Sequence, residues 1–86
     1  MLELDAANIG TLELDGQWVP YYDLYATDFV PTRLKIVDDE YAWLSSILIS
    51  GHGATLPATI RQLRAAGKKP VIIERDGRYN VFVSPP

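Results

Sequence analysis

The 86-residue chain contains no cysteine. That excludes disulfides, thiolate metal sites and Cys–His nucleophilic pairs. Secreted domains of this size often depend on disulfides, so the absence points to a reducing, cytoplasmic compartment. The chain also lacks a long apolar run. Its longest apolar-leaning stretch, Tyr41 to Ile49, is interrupted by Ser45 and Ser46 and is far shorter than the ~20 residues a helical membrane span needs. Met1 to Asp5 has no basic segment followed by an apolar one, so no signal peptide and no membrane partner are expected. There is one histidine, His52, and no phosphate-binding or dinucleotide fingerprint. No low-complexity tract divides the chain, which reads as a single domain over residues 1–86.

What is present is apolar surface and an uneven distribution of charge. Apolar residues make up 48% of the chain, enough to offset the entropy of folding, so disorder is not expected. Residues 1–44 hold nine acidic and two basic side chains, and residues 45–86 hold two acidic and six basic. A chain so divided can attract a charged partner or a second copy of itself, so a homodimer is one expectation.

The pattern predicts an α+β fold. A small antiparallel sheet would be built from two β-hairpins and a central strand, with one or two helices packed on one face. Thr11 to Leu24 reads as the first hairpin, turning at Asp15-Gly16, with Pro20 at an edge or at the end of regular pairing. Ala26 to Thr32 reads as a loop, and Arg33 to Val37 as a half-buried strand. Asp38 to Ser50 satisfies two periods. Val37, Tyr41, Leu44 and Leu48 recur at helical spacing behind a capping aspartate, while Tyr41, Trp43, Ile47 and Ile49 alternate as in a strand. The cap and the acidic first turn favour the helix. Thr55 to Ala66 reads as a helix with Pro57 in its first turn and Gly67 just beyond its end. Its stripe Leu56, Ile60 and Leu63 is expected to pack on Val71, Ile73, Val81 and Val83. Val71 to Val83 reads as the second hairpin. A three-residue loop, Arg75-Asp76-Gly77, would put the apolar residues on one face and set Glu74 against Arg78.

Few residues offer chemistry. His52 lies between Gly51 and Gly53 just before a helix, and no nucleophile motif accompanies it. Gly51 to Thr55 reads as a connector rather than an anion loop, and Asp38-Asp39-Glu40 as a helix start rather than a cation site. No catalytic, metal or cofactor site is therefore expected. Trp18, Tyr21, Tyr22, Tyr25 and Phe29 cluster in the acidic half, more aromatic surface than a thin core hides. Trp18, Tyr21, Tyr22 and Tyr25 are the candidate protein contacts. Arg61, Arg64 and Lys68 form a basic stripe that Lys69, Arg75 and Arg78 extend. Arg61, Arg64, Lys68 and Lys69 are the candidates for a phosphate backbone.

Leu63 to Val83, containing Arg64-Ala65-Ala66-Gly67-Lys68-Lys69-Pro70-Val71-Ile72-Ile73-Glu74-Arg75-Asp76-Gly77-Arg78, resembles the middle of Phd/YefM-type antitoxins. There a helix ends in a small-residue and glycine turn, followed by two strands joined by a short turn containing glycine. The resemblance implies a dimeric nucleic-acid-binding regulator using the basic C-terminal half. The chain departs from that family in opening on a hairpin where such antitoxins carry their DNA-binding helical region. The reading the residues favour is a small non-enzymatic accessory protein, of the kind phages and mobile elements encode. It would bind and modulate a larger host protein whose identity is not legible.

Overall fold

The computed structural model describes residues 1–24 and 30–84. The elements are β1 (Leu2–Leu4), a 3₁₀ turn (Ala6–Asn8), β2 (Gly10–Leu14), β3 (Gln17–Asp23), β4 (Arg33–Ile36), β5 (Asp39–Leu48), a 3₁₀ turn (Ile49–Gly51), α1 (Thr55–Ala65), β6 (Pro70–Arg75) and β7 (Arg78–Val83). All seven strands join one mixed sheet in the order β1-β4-β5-β7-β6-β3-β2, curled into a half-barrel.

This corrects the expected fold, a small antiparallel sheet of two hairpins and a central strand with one or two helices. Strands dominate, a single α-helix is present among the described residues, and two strand pairings, β1 with β4 and β3 with β6, are parallel. Two physical causes account for the difference. Residues 39–48 form a strand because Tyr41 and Trp43 pair across to β4 and β7, whereas the helical stripe would have had no facing core. The parallel pairings have no local turn signature, because parallel partners need a long crossover between them.

Both expected hairpins form. Asp15 (φ 52°) and Gly16 (φ 83°) make a two-residue turn that sets Leu14 opposite Gln17. Positive φ at both positions is the type I′ pattern that matches strand twist. Pro20 stands where its missing N–H costs little, since the pairing of β3 to β6 starts at Tyr21. The second hairpin corrects the expected loop. Asp76 (φ 53°) and Gly77 (φ 71°) form another two-residue turn, so Arg75 opposes Arg78 and Glu74 opposes Tyr79. The two arginines are relieved separately: Arg75 Nη1 donates to Asp76 Oδ1 at 3.0 Å and Arg78 Nε donates to Ser46 Oγ at 3.0 Å.

A three-residue loop would gather the apolar residues onto one face, but β6 is buried on both faces. Val71, Ile73 and Phe82 pack with Leu4, Leu24, Leu34 and Tyr41 on the face away from α1. Ile72, Tyr79 and Val81 pack with Leu14, Val19, Leu56 and Ile60 beneath α1. The helix therefore rests on Ile72 and Val81, not on Val71 and Ile73. It ends as expected. Gly67 adopts φ 78°, its N–H donates to Arg64 O, and Lys68 N–H reaches back to Leu63 O at 3.0 Å. This double closure satisfies carbonyls that the helix end would leave bare.

Candidate docking edge

An antiparallel strand directs its backbone groups alternately to its two neighbours. β5 is ten residues long, but β4 pairs only with Asp39 to Ala42. One further bond, Trp43 N–H to Thr32 O at 2.9 Å, closes that side. From Leu44 to Leu48 the strand pairs with β7 on one side and with no strand on the other, among the described residues. Ile49 N–H donates to Gly77 O. By alternation, the N–H and C=O groups of Ile47 point to β7 and those of Ser46 and Leu48 point outward.

The side chains around this edge are apolar and exposed. Trp43 is 45% exposed, Leu44 45% and Leu48 51%. A bulge between Trp43 and Ser45 opens the register where β4 stops. The indole of Trp43 is held in place. Its Nε1–H donates to Asn80 Oδ1 at 3.2 Å, and buried Asn80 donates in turn to Ile73 O at 3.2 Å. A fixed, half-exposed tryptophan loses little further freedom on binding, as interface anchors do.

The other edges of the sheet are protected. β1 is three residues long and carries Glu3; β2 carries Gly10 and Glu13 beside Asp15 of its turn. Short length, glycine and charge are the usual devices that keep an edge from pairing with another chain. Residues 44–48, Leu-Ser-Ser-Ile-Leu, carry no glycine and no charge of their own, although the bulge at Leu44 and the Arg78 guanidinium on Ser46 Oγ stand at this edge.

The aromatic residues singled out from the sequence are not brought together. Trp18 is 63% exposed on β3. Tyr21 lies on the opposite face, in the cluster under α1, and its hydroxyl donates to Glu74. Burial, and after it the bond to Glu74, pushes the Tyr21 hydroxyl pKa well above its ordinary value. Tyr22 packs against the cluster of Leu24, Leu34 and Phe82. Tyr25 and Phe29 lie outside the described residues. Strand alternation is the cause, since neighbours in a strand face opposite ways.

The basic stripe is partly consumed by packing. Arg61 pairs with Asp15 at 2.5 Å and Arg64 donates to Trp18 O at 2.6 Å, so both tie α1 to the β2–β3 hairpin. Lys69 shares a cleft of about 330 Å³ with Asp38, Asp39 and Glu40, and Lys68 sits beside Tyr41 and Pro70 in a neighbouring one. The fold thus sets acidic residues of the first half against basic residues of the second. Asp38-Asp39-Glu40, expected to open a helix, instead spans the β4–β5 turn and the start of β5.

His52 lines a cleft of about 440 Å³ with Glu13, Asp15 and Tyr79. Its ring lies 5.7 Å from that of Tyr79, and Nδ1 stands 3.1 Å from Gly53 O. Both carboxylates of the cleft are engaged elsewhere, Glu13 by the Gly16 N–H and Asp15 by Arg61. No group of three or more potential metal ligands occurs among the described residues, and no helix there is long and apolar enough to cross a membrane.

The edge residues Trp43, Leu44 and Leu48 were missed from the sequence, although part of the signal was present. The strand reading of Tyr41 to Ile49 is one of the two periods the sequence offers, but the bulge at Leu44, which puts Trp43 and Ile47 on opposite faces, has no signal in it. No protein-family model, no curated protein and no solved structure matches this chain.

Proposed function

We propose that this chain is a non-enzymatic protein-binding module that takes an extended polypeptide segment against the outer edge of β5. The supporting observation is the outer side of Leu44 to Leu48, which has no partner strand among the described residues and no charged residue of its own, with Trp43, Leu44 and Leu48 exposed beside it. Adding a strand to such an edge supplies affinity through main-chain hydrogen bonds and specificity through alternate side chains. The proposal keeps the role of a small accessory protein that modulates a larger one, and the lack of cysteine suits a cytoplasmic setting. It moves the centre of contact from Tyr21 and Tyr22, which are half-buried on opposite faces, to Trp43 and its neighbours. Trp18 is a second contact candidate, distant in sequence from the β5 edge.

The test compares proteins captured from a lysate by the wild type, by the double variant Leu44→Lys, Leu48→Lys, and by Trp18→Ala. The double variant is expected to lose captured proteins that the wild type retains. An identical set from all three would defeat the proposed surface.

A further inference from the structure

We infer that the cleft at the C-terminal end of α1 binds a phosphomonoester, the compact dianion of a small phosphorylated molecule or of a phosphorylated side chain. This site is separate from the β5 edge and does not depend on the reading above. The cleft holds about 240 Å³ and is lined by Arg64, Lys68 and Lys69 together with Pro20, Tyr41 and Pro70. Three cations line it, and no carboxylate does so among the described residues. Like charges gathered in one cleft repel one another, and a bound anion turns that cost into charge-assisted hydrogen bonds.

The fold fixes the parts of this cleft. Arg64 leaves the last turn of α1, and its Nη2 donates to Trp18 O at 2.6 Å. That bond anchors the guanidinium while using one of its five N–H donors. Lys69 is tied to the end of β7 by two bonds: its N–H donates to Ser84 Oγ at 2.9 Å, and Ser84 N–H donates to its carbonyl at 3.0 Å. The carbonyls of Leu63 and Arg64 would otherwise add negative potential here. They accept the N–H groups of Lys68 and Gly67 instead. Burial, and after it the charge of Asp39, raises the pKa of the Tyr41 hydroxyl, so this wall is a neutral phenol at physiological pH.

Nearby acids set the size of the ligand. Lys68 also lines a second cleft, of about 210 Å³, where Glu40 stands 4.0 Å from Arg33. Asp38, Asp39 and Glu40 share the next cleft with Lys69. A polyanion long enough to leave the site on that side meets these carboxylates. Along α1 in the other direction, Arg61 is already paired with Asp15. One compact dianion fits the three cations, whereas a duplex backbone, which needs a row of them, does not.

Amide NMR titration with inorganic phosphate at constant ionic strength tests the inference. Resonances of residues 64–70 are expected to shift and saturate in phosphate and to stay put in chloride. The Lys68→Gln, Lys69→Gln variant should weaken phosphate binding by about tenfold or more, while Lys35→Gln, on β4, should bind as the wild type does. A sugar phosphate and a phosphoserine peptide are both expected to compete with phosphate, and the one effective at the lower concentration identifies the source of the group. Equal shifts in phosphate and chloride overturn the inference. So does equal weakening by Lys35→Gln and the double variant, or a short DNA duplex that binds more tightly than any of the monoesters.

Discussion

β6 and the upper half of β5 show how differently one sheet can treat two apolar segments. Pro70 to Ile73 are buried and paired with β7, and Ile72 and Ile73 are paired with β3 as well. Leu44 to Leu48 are paired on one side, and Leu44 and Leu48 are exposed. Composition does not separate them, since both are uncharged and rich in Ile, Leu or Val. Position in the sheet does. A central strand spends its apolar side chains on the core, and a half-open one leaves some of them exposed.

The comparison breaks most readily at the core. Phe82→Ala, on the face away from α1, is expected to cost about 3–5 kcal/mol and Ile72→Ala, under the helix, about 2–5 kcal/mol, read by urea unfolding. Leu48→Ala should stay within about 0.5 kcal/mol. A Leu48 loss as large as that of Ile72 would show the upper half of β5 to be core after all. Ile60→Ala should cost about 2–4 kcal/mol, because Ile60 is fully buried against the Ile72 face. A negligible shift would detach α1 from that face.

Alkaline titration sharpens the contrast between the faces of the sheet. The hydroxyls of Tyr21, Tyr41 and Tyr79 are all raised above the ordinary value of 10.0, chiefly by burial. The folded protein therefore keeps protons that the unfolded chain releases. The stability this contributes is fully present below pH about 10 and is lost as the pH climbs through the folded-state values. Denaturation midpoints measured from neutral to strongly alkaline pH should fall, and Tyr21→Phe should flatten the fall. A midpoint independent of pH in that range would contradict the burial of these hydroxyls.

Smaller effects belong to the lower end of β5. Val37, 61% exposed, is held at φ 56° in the turn between β4 and β5. A β-branched residue is strained there, so Val37→Gly should stabilise the protein by about 1 kcal/mol, visible as a higher thermal midpoint. Arg61→Ala removes an exposed ion pair with Asp15 and should cost no more than about 1 kcal/mol, less in high salt. A large loss would mean that the β2–β3 hairpin depends on this contact.

Some of this was legible in advance. Asp15-Gly16 marked the first hairpin turn, the second was legible in place but not in its two-residue length, and Leu56, Ile60 and Gly67 marked the helix and its end. β1 was not legible, because Leu2 to Leu4 is a strand only through its parallel pairing to β4. The reading of residues 38–50 as helix failed because local spacing supported two periods, and only strand partners on both sides of Tyr41 and Trp43 could choose between them. The charge division along the chain was real in sequence but lost its meaning in space once Asp15 met Arg61 and Lys69 joined the cleft of Asp38 and Glu40. The docking edge was hidden for the same reason as the strand that carries it.

The sequence by itself determined the punctuation of the chain and the chemistry it lacks. Turns, caps and absent cysteines depend on residues that act alone or with near neighbours. Tertiary structure decided which apolar residues are core, which aromatic residues share a face, and where an edge stays open. Those properties belong to pairs of strands far apart in the chain, and no local preference encodes which strand will lie beside which.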